Sequence, residues 1–320
     1  VIAYPADEPK TSFYSVRGLR LAYHAWGDPS ARPLLLIHGF QDHGKSYART
    51  IRALGGAFYC ITPDMRGHGE SGWVGDGGDY VFYDYFNDML TLVDQLGFER
   101  FGVVGHSMGG GVSTGFASLL PSRIEAMVLI EGMGFLTHDL KDTIGRLVRW
   151  STALRRDGVD ANVEGRRRGR QTMAGVEEAV MRLRQYNLKL DPDHALDLAR
   201  SFTEPADDGS GAVVWRFDPL HKTPAAKPYL FEEAAAIWQA LDMPVLSLFG
   251  AESPWIAPDI EARHRAIPDL RIGMVEGSGH NIHHDRPEVV ADAIRHWMSA
   301  ERRRGPLPHG IREEAPAPTA

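Results

Sequence analysis

The sequence predicts an α/β fold: a mostly parallel sheet flanked by helices and interrupted once by a helical insertion. Short apolar runs recur and end in glycine or a polar turn, and amphipathic stretches of helical period lie between them. Apolar runs of strand length separated by helices indicate βα units on a parallel sheet. The alternation lapses between about Phe135 and Lys222, where the composition turns helical, basic and polar. A chain of 320 residues, 43% hydrophobic and 24% charged, supplies the core of one large domain with a smaller piece inserted in it.

Composition excludes several function classes. Formal charge is 35 − 42 = −7, so no excess of positive charge favours nucleic acid or an anionic membrane. The single cysteine, Cys60, excludes an internal disulfide and a thiolate metal cluster and fits a reducing compartment. No apolar run approaches the roughly 18 residues that span a bilayer, and no signal peptide is visible. The expected location is the cytoplasm, a signal segment removed before Val1 excepted.

In chain order, "RPLLLIHG" is the strongest strand signal, and "FYCITPD" is a second strand in which Cys60 packs inward. "FNDMLTLVDQLG" lines up Met89, Leu92, Val93 and Leu96 on one helix face and stops at Gly97. "FGVVGHS" and "AMVLIEG" are strands, with a helix between them. Inside the insertion, Val176, Val180 and Leu183 recur at helical spacing, a second helix begins near Asp191, and the cluster "EGRRRGRQ" reads as a solvated charged face. "MPVLSLFG" and "LRIGMVEG" resume the sheet. In "PEVVADAIRHWMSA", Val289, Val290, Ala293, Ile294, Trp297 and Met298 share a face and Pro287 suits the first turn. The end, rich in Pro, Ala and charge, is expected to be a mobile tail. The expected units are residues 1–134 and 223–300 for the core, 135–222 for the insertion and 301–320 for the tail.

Chemistry concentrates at "GHSMG", a G-x-S-x-G pattern between a predicted strand and a predicted helix. Small residues there permit a sharp turn that lifts the Ser107 hydroxyl above the sheet edge at a helix N-terminus; a plain serine N-cap on a glycine-rich turn uses the same residues. A serine nucleophile needs a base within hydrogen-bond reach and an acid to orient that base. His280, in "VEGSGHNIHHDRPE", lies on a glycine-flanked loop after the last predicted strand, and His283 and His284 are the second choice. Strand ends of a parallel sheet converge on one edge, where catalytic groups collect.

With HGF, "DMRGHGES", GHSMG and "GSGH" in order from about Ser12 to Ala300, the chain resembles the α/β-hydrolase superfamily, among its cap-bearing esterases and serine-hydrolase-like members. The resemblance implies an α/β-hydrolase fold with an inserted helical cap and a nucleophile, acid, histidine order. Many members carry the acid where this sequence reads "LFGAESPW"; Glu252 lies there, but Ser253 stands where an aspartate is commonly expected. The alternative is Glu131 at the end of "VLIEGMG", the preferred reading. The family places oxyanion-hole amides at Phe40 and Met108 and makes His38 a loop-holding residue. Asp64, Arg66 and His68 then shape a loop and transfer no proton. "VVWRFDPLHK" resembles the return from cap to core, and Phe135, Trp150, Trp215, Phe217 and Trp255 are candidates for apolar pocket lining.

These features imply a serine hydrolase of carboxylesterase type acting on a small or medium ester through an acyl-enzyme, with no metal or organic cofactor. A lactonase, a C–C bond hydrolase, a cofactor-free perhydrolase and a low-turnover ligand receptor are the alternatives on the same site.

Overall fold

The computed structural model describes residues 8–314 apart from 136, 138, 156–162, 207–208, 228, 256 and 258. Its main sheet is assembled from β1 (Lys10–Val16), β2 (Leu19–Trp26), β3 (Pro33–Ile37), β4 (Tyr59–Pro63), β5 (Phe101–His106) and β6 (Ile124–Ile130). A small antiparallel pair, β7 (Thr203–Pro205) and β8 (Val213–Trp215), stands apart; β9 (Val245–Gly250), β10 (Leu270–Val275) and β11 (Ile311–Glu314) complete the main sheet. Among the described residues its nine strands run in the order β1-β2-β4-β3-β5-β6-β9-β10-β11. The six from β3 to β10 are parallel, and β1, β2 and β11 are antiparallel to their neighbours. All six apolar runs singled out in the sequence are these parallel strands. The order reverses at β3, which lies between β4 and β5, and such a switch point opens a crevice at the carboxyl ends of the strands.

The helices are α1 (Ala48–Leu54), α2 (Phe82–Gln95), α3 (Met108–Ala117), α4 (Thr143–Leu154), α5 (Val163–Arg168), α6 (Val176–Tyr186), α7 (Pro192–Phe202), α8 (Phe231–Gln239), α9 (Ile260–Ala266), α10 (Ile282–Asp285) and α11 (Pro287–Trp297). Strand residues alternate between two apolar layers, as a pleated sheet covered on both faces requires. Leu34, Leu36, Val104, Val128 and Leu246 pack with Ile51 and Leu54 of α1 and Ile294 and Trp297 of α11. Leu35, Ile37, Val103, Met127 and Val245 pack with Met89 and Leu92 of α2, Phe116 of α3 and Trp238 of α8. Gly97, at φ 67°, follows α2 where the sequence placed its stop.

Between β6 and α8, α6 and α7 share a small apolar cluster of their own around Leu190, Ala195, Leu198 and Phe202. Asp191 caps α7 by accepting from the His194 N–H at 2.9 Å. The arginine cluster is not a solvated face: Arg166 and Arg170 are buried. Arg166 donates to Asp218 at 3.0 Å and to the Val74 carbonyl at 2.7 Å, and Arg170 pairs with Glu204. Charge density along a sequence says nothing about whether partners wait in the fold.

Two further departures concern the sheet edges. The β1–β2 hairpin turns at Arg17 (φ 50°) and Gly18 (φ 83°), two positive φ values that suit a tight hairpin turn. The end of the chain, expected to be mobile through residue 320, is ordered to Glu314. There β11 pairs with β10 in the register Ile272↔Glu314 to Val275↔Ile311, Ile311 is buried, and Arg271 donates to Glu313 at 2.8 and 2.6 Å. Its physical reason is the exposed edge of β10, which β11 covers. Residues 315–320 lie outside the described residues. Among the described residues no helix is long and apolar enough to cross a membrane.

Truncation after Gly305 removes β11 and the buried Ile311 side chain. It is expected to lower stability by about 2 kcal/mol, from the burial of one isoleucine, read as a lower urea midpoint with the far-ultraviolet spectrum retained; an unchanged midpoint contradicts a structural role for β11.

Candidate active site

Ser107 sits between β5 and α3 at φ 50° and ψ −117°, a conformation that non-glycine residues rarely adopt and that persists only where the surroundings impose it. The surroundings here are backbone. A Cβ on Gly109 would lie 2.3 Å from the His38 carbonyl oxygen, and one on Gly110 would lie 2.3 Å from that of Gly132. The first turn of α3 therefore presses directly on the chain leaving β3 and on the chain leaving β6. The Ser107 N–H donates to the Ile130 carbonyl at 3.0 Å, which locks the turn to β6.

The next residue after β6, Glu131, also has positive φ, 51°. Its N–H donates to the Leu248 carbonyl at 2.8 Å, and its carboxylate accepts from the Gly250 N–H at 2.7 Å and from the Ser253 hydroxyl at 2.9 Å. The same oxygen that accepts from Ser253 lies 3.2 Å from His280 Nδ1. His280 Nε2 lies 2.9 Å from Ser107 Oγ. The Glu131 side chain is 1% exposed and that of His280 25%, so the carboxylate end of this row of contacts is sealed and the imidazole borders solvent. A carboxylate at Nδ1 makes that nitrogen the donor and leaves the Nε2 lone pair facing the hydroxyl.

The other residues from the sequence fall as follows. Glu252 is half-exposed and pairs with Lys189 at 2.5 Å, away from His280. His283 and His284 are buried, and among the described residues the imidazole hydrogen-bonded to Ser107 Oγ is that of His280. Met108 is the first residue of α3, and Gly39, preceding Phe40, passes so close that a Cβ on it would lie 3.3 Å from Ser107 Cβ. His38 Nε2 accepts from the Met65 N–H at 2.9 Å. His68 Nε2 accepts from the Gln41 N–H at 3.2 Å, holding the residue after Phe40 at φ 57°. Asp64 accepts from Gly44 and Glu70 N–H groups at 2.7 and 2.8 Å, and Arg66 forks onto Asp88 at 2.7 Å. These three are held by structural contacts. Phe40 and Trp255 are exposed, with the Trp255 ring 6.1 Å from that of His280. Phe135 is buried in the core instead, stacked on Tyr229, and Trp215 packs within the α6–α7 cluster.

Two contributors were not assigned a role from the sequence. Ser253 was legible only as a missing aspartate, yet its hydroxyl donates to the Glu131 carboxylate. His106 donates from Nε2 to the His280 carbonyl at 3.1 Å, tying the residue before Ser107 to the loop of the imidazole.

Comparison with known proteins identifies the family and the fold. The sequence profile of the alpha/beta hydrolase fold family matches residues 32–287. The chain belongs to the α/β-hydrolase family. This α/β hydrolase is 25% identical to a serine hydrolase-like protein of Danio rerio over 86% of its own length and 84% of that relative. It is 28% identical to a 3-hydroxybutyrate-oligomer hydrolase of Cupriavidus necator, over 73% of its own length and 77% of the relative. A crystal structure of a hypothetical protein from Pseudomonas aeruginosa PAO1 superposes with a TM-score of 0.76 at 26% identity, covering 92% of this chain and all of that one.

The hydrolase packs many neutral imidazoles around this site. Burial pushes His43 down to about 4, and burial together with the charge of Arg49 does the same for His194. Burial also holds His68, His106 and His284 well below the ordinary histidine range. For Asp64, burial alone would raise the carboxyl, but hydrogen bonding and the charge of His24 hold it well below the carboxylate range. Below the unfolded histidine value of about 6.5 the unfolded chain binds more protons than the folded one, so folding stability falls with pH. The stability held by neutral His43 and His194 is complete above that value and is lost as pH falls toward about 4. The urea midpoint is expected to be flat above about pH 7 and to drop between about 6.5 and 4, with His43→Asn flattening part of the drop. A midpoint that holds constant down to pH 4 contradicts this account.

Proposed function

We propose that this α/β hydrolase is a serine hydrolase of carboxylesterase type. The observation that carries the reading is the unbroken contact from Ser107 Oγ through His280 to Glu131, at 2.9 and 3.2 Å. His280 Nε2 takes the Ser107 proton as Oγ attacks the ester carbonyl, and Glu131 stabilises the imidazolium. The N–H groups of Phe40 and Met108 receive the developing oxyanion; one such donor is typically worth on the order of 100-fold to 1,000-fold in rate. The imidazolium returns its proton to the leaving alcohol, an acyl-enzyme remains, and His280 then activates water to release the acid.

The acyl-transfer reading gains support from the Cupriavidus necator relative, whose name gives oligomers of 3-hydroxybutyrate as its substrate. Units of such an oligomer are joined by carboxylic ester bonds. Exposed Phe40 and Trp255 beside the reacting pair suit an apolar acyl or alcohol group of small to medium size. Residues 135–222 are assigned the role of a cap over this mouth.

A fluorophosphonate probe is expected to label one residue, Ser107, rapidly and stoichiometrically, and Ser107→Ala is expected to abolish both labelling and hydrolysis of short p-nitrophenyl esters. Full ester turnover by folded Ser107→Ala overturns the assignment. Glu131→Gln is expected to lower kcat by roughly 100-fold to 10,000-fold, the range for a triad acid that no longer holds the right tautomer, whereas Glu252→Gln stays near the parent. The reverse order would move the acid to Glu252.

A further inference from the structure

One buried group of side chains takes no part in the proposed acyl transfer. Asp42, on the loop after β3, His106, at the end of β5, and His283, in α10, bring one ligand-capable atom each to within 4.8 Å of the others. Their exposures are 8%, 3% and 0%. Among the described residues no hydrogen-bond partner stands at either ring nitrogen of His283 or at His106 Nδ1, the Asp42 carboxylate lying 3.8 Å from His283 Nε2. Buried polar atoms are seldom left so; an ordered water or an ion generally satisfies them.

The chemistry of the donor set favours an ion of a particular kind. Two imidazoles and one carboxylate suit zinc and the other borderline divalent transition metals, whereas calcium and magnesium require oxygens. Asp42 is already oriented: Oδ1 accepts from the His43 N–H at 2.7 Å and Oδ2 from the Ser46 hydroxyl at 3.0 Å. Oδ2 lies 3.8 Å from His283 Nε2, and the His106 and His283 rings are 4.4 Å apart between centroids. The bond from His106 Nε2–H to the His280 carbonyl leaves Nδ1 as the lone-pair nitrogen, the arrangement by which a backbone acceptor fixes the tautomer of a metal-ligating histidine.

We propose that Asp42, His106 and His283 bind one divalent transition-metal ion of the zinc class, in a site separate from the Ser107–His280 pair. Such an ion clamps the chain just before Ser107 to α10, which begins two residues after His280. Its role is to stiffen the loop that carries the imidazole, and it takes no part in acyl transfer.

The test uses the full chain stripped with a chelator and titrated with Zn2+ by calorimetry, with Tm read in parallel. Uptake of one equivalent with a raised Tm is expected, and Asp42→Asn and His283→Gln should each weaken uptake by about 10-fold or more, circular dichroism confirming that they fold. No uptake overturns the proposal and leaves the nitrogens to ordered water. Equal uptake by parent and variants also overturns it and places the ion on exposed histidines such as His309. If neither variant folds, the parent loaded with one Cu2+ decides by electron paramagnetic resonance: two coordinated imidazoles support the site, and one or none rejects it.

Discussion

The arrangement depends on how closely the first turn of α3 approaches the chains leaving β3 and β6. Only glycine at positions 109 and 110 allows carbonyls of His38 and Gly132 to stand where a Cβ would be. That approach forces Ser107 to positive φ, and strain of this sort, on the order of 1–3 kcal/mol, survives only where neighbouring contacts over-determine it. The bond from Ser107 N–H to the Ile130 carbonyl is one such contact, and it makes the position of the hydroxyl a property of the β5–β6 pair. Glu131 follows Ile130 immediately. The proposed nucleophile and the proposed acid are therefore referenced to one strand boundary, and the imidazole arrives from a distant loop.

That geometry lets a carboxylate just after β6 reach the same imidazole as one placed after β9 would. The two strands are neighbours in register Ile130↔Leu248, so a side chain leaving the end of β6 reaches the same space as one leaving the end of β9. Glu131 spans the gap and is caught on the far side by the Gly250 N–H and the Ser253 hydroxyl. A second carboxylate at position 253 would sit against the first, whereas a hydroxyl donates to it. The serine there complements the glutamate, and hydrogen bonds to the ionised form favour it.

Legibility in the sequence followed the length scale of each signal. The six parallel strands, α2, α11 and the start of α7 were legible because buried strands are continuous apolar runs and amphipathic helices carry a period and a cap. The β1–β2 hairpin and β11 were not: β1 and β2 mix polar with apolar residues along their length, and β11 is four residues long and contributes one buried residue, Ile311. Ser107 and His280 were legible from motif order and Glu131 was preferred to Glu252 on resemblance, but which carboxylate lies against His280 is visible only in three dimensions. Local sequence cannot tell that Glu252 points to Lys189 and Glu131 to His280. The buried fate of Arg166 was hidden for the same reason, its partner Asp218 lying 52 residues away.

That arginine also shows how the insertion acts on the reacting end of the molecule. Asp218 receives Arg166 and the Tyr80 hydroxyl, and its N–H donates to the Gly67 carbonyl at 2.8 Å, while the Gly69 N–H donates to the Arg216 carbonyl at 2.7 Å. The exit of the insertion is thus laced to the short segment from Gly67 to Gly69. His68 lies in that segment, stacks near His221 at 4.2 Å between centroids, and accepts from the Gln41 N–H. Gln41 follows Phe40, whose amide is a proposed oxyanion donor. A buried ion pair left with one partner is far costlier than either pair or apolar substitute, so loosening Arg166 would leave Asp218 charged beside Gly67 and strain the segment that sets the Phe40 amide. The tether at the end of the helical segment between β6 and α8 and the loop carrying the Phe40 amide are thus linked by one continuous row of hydrogen bonds.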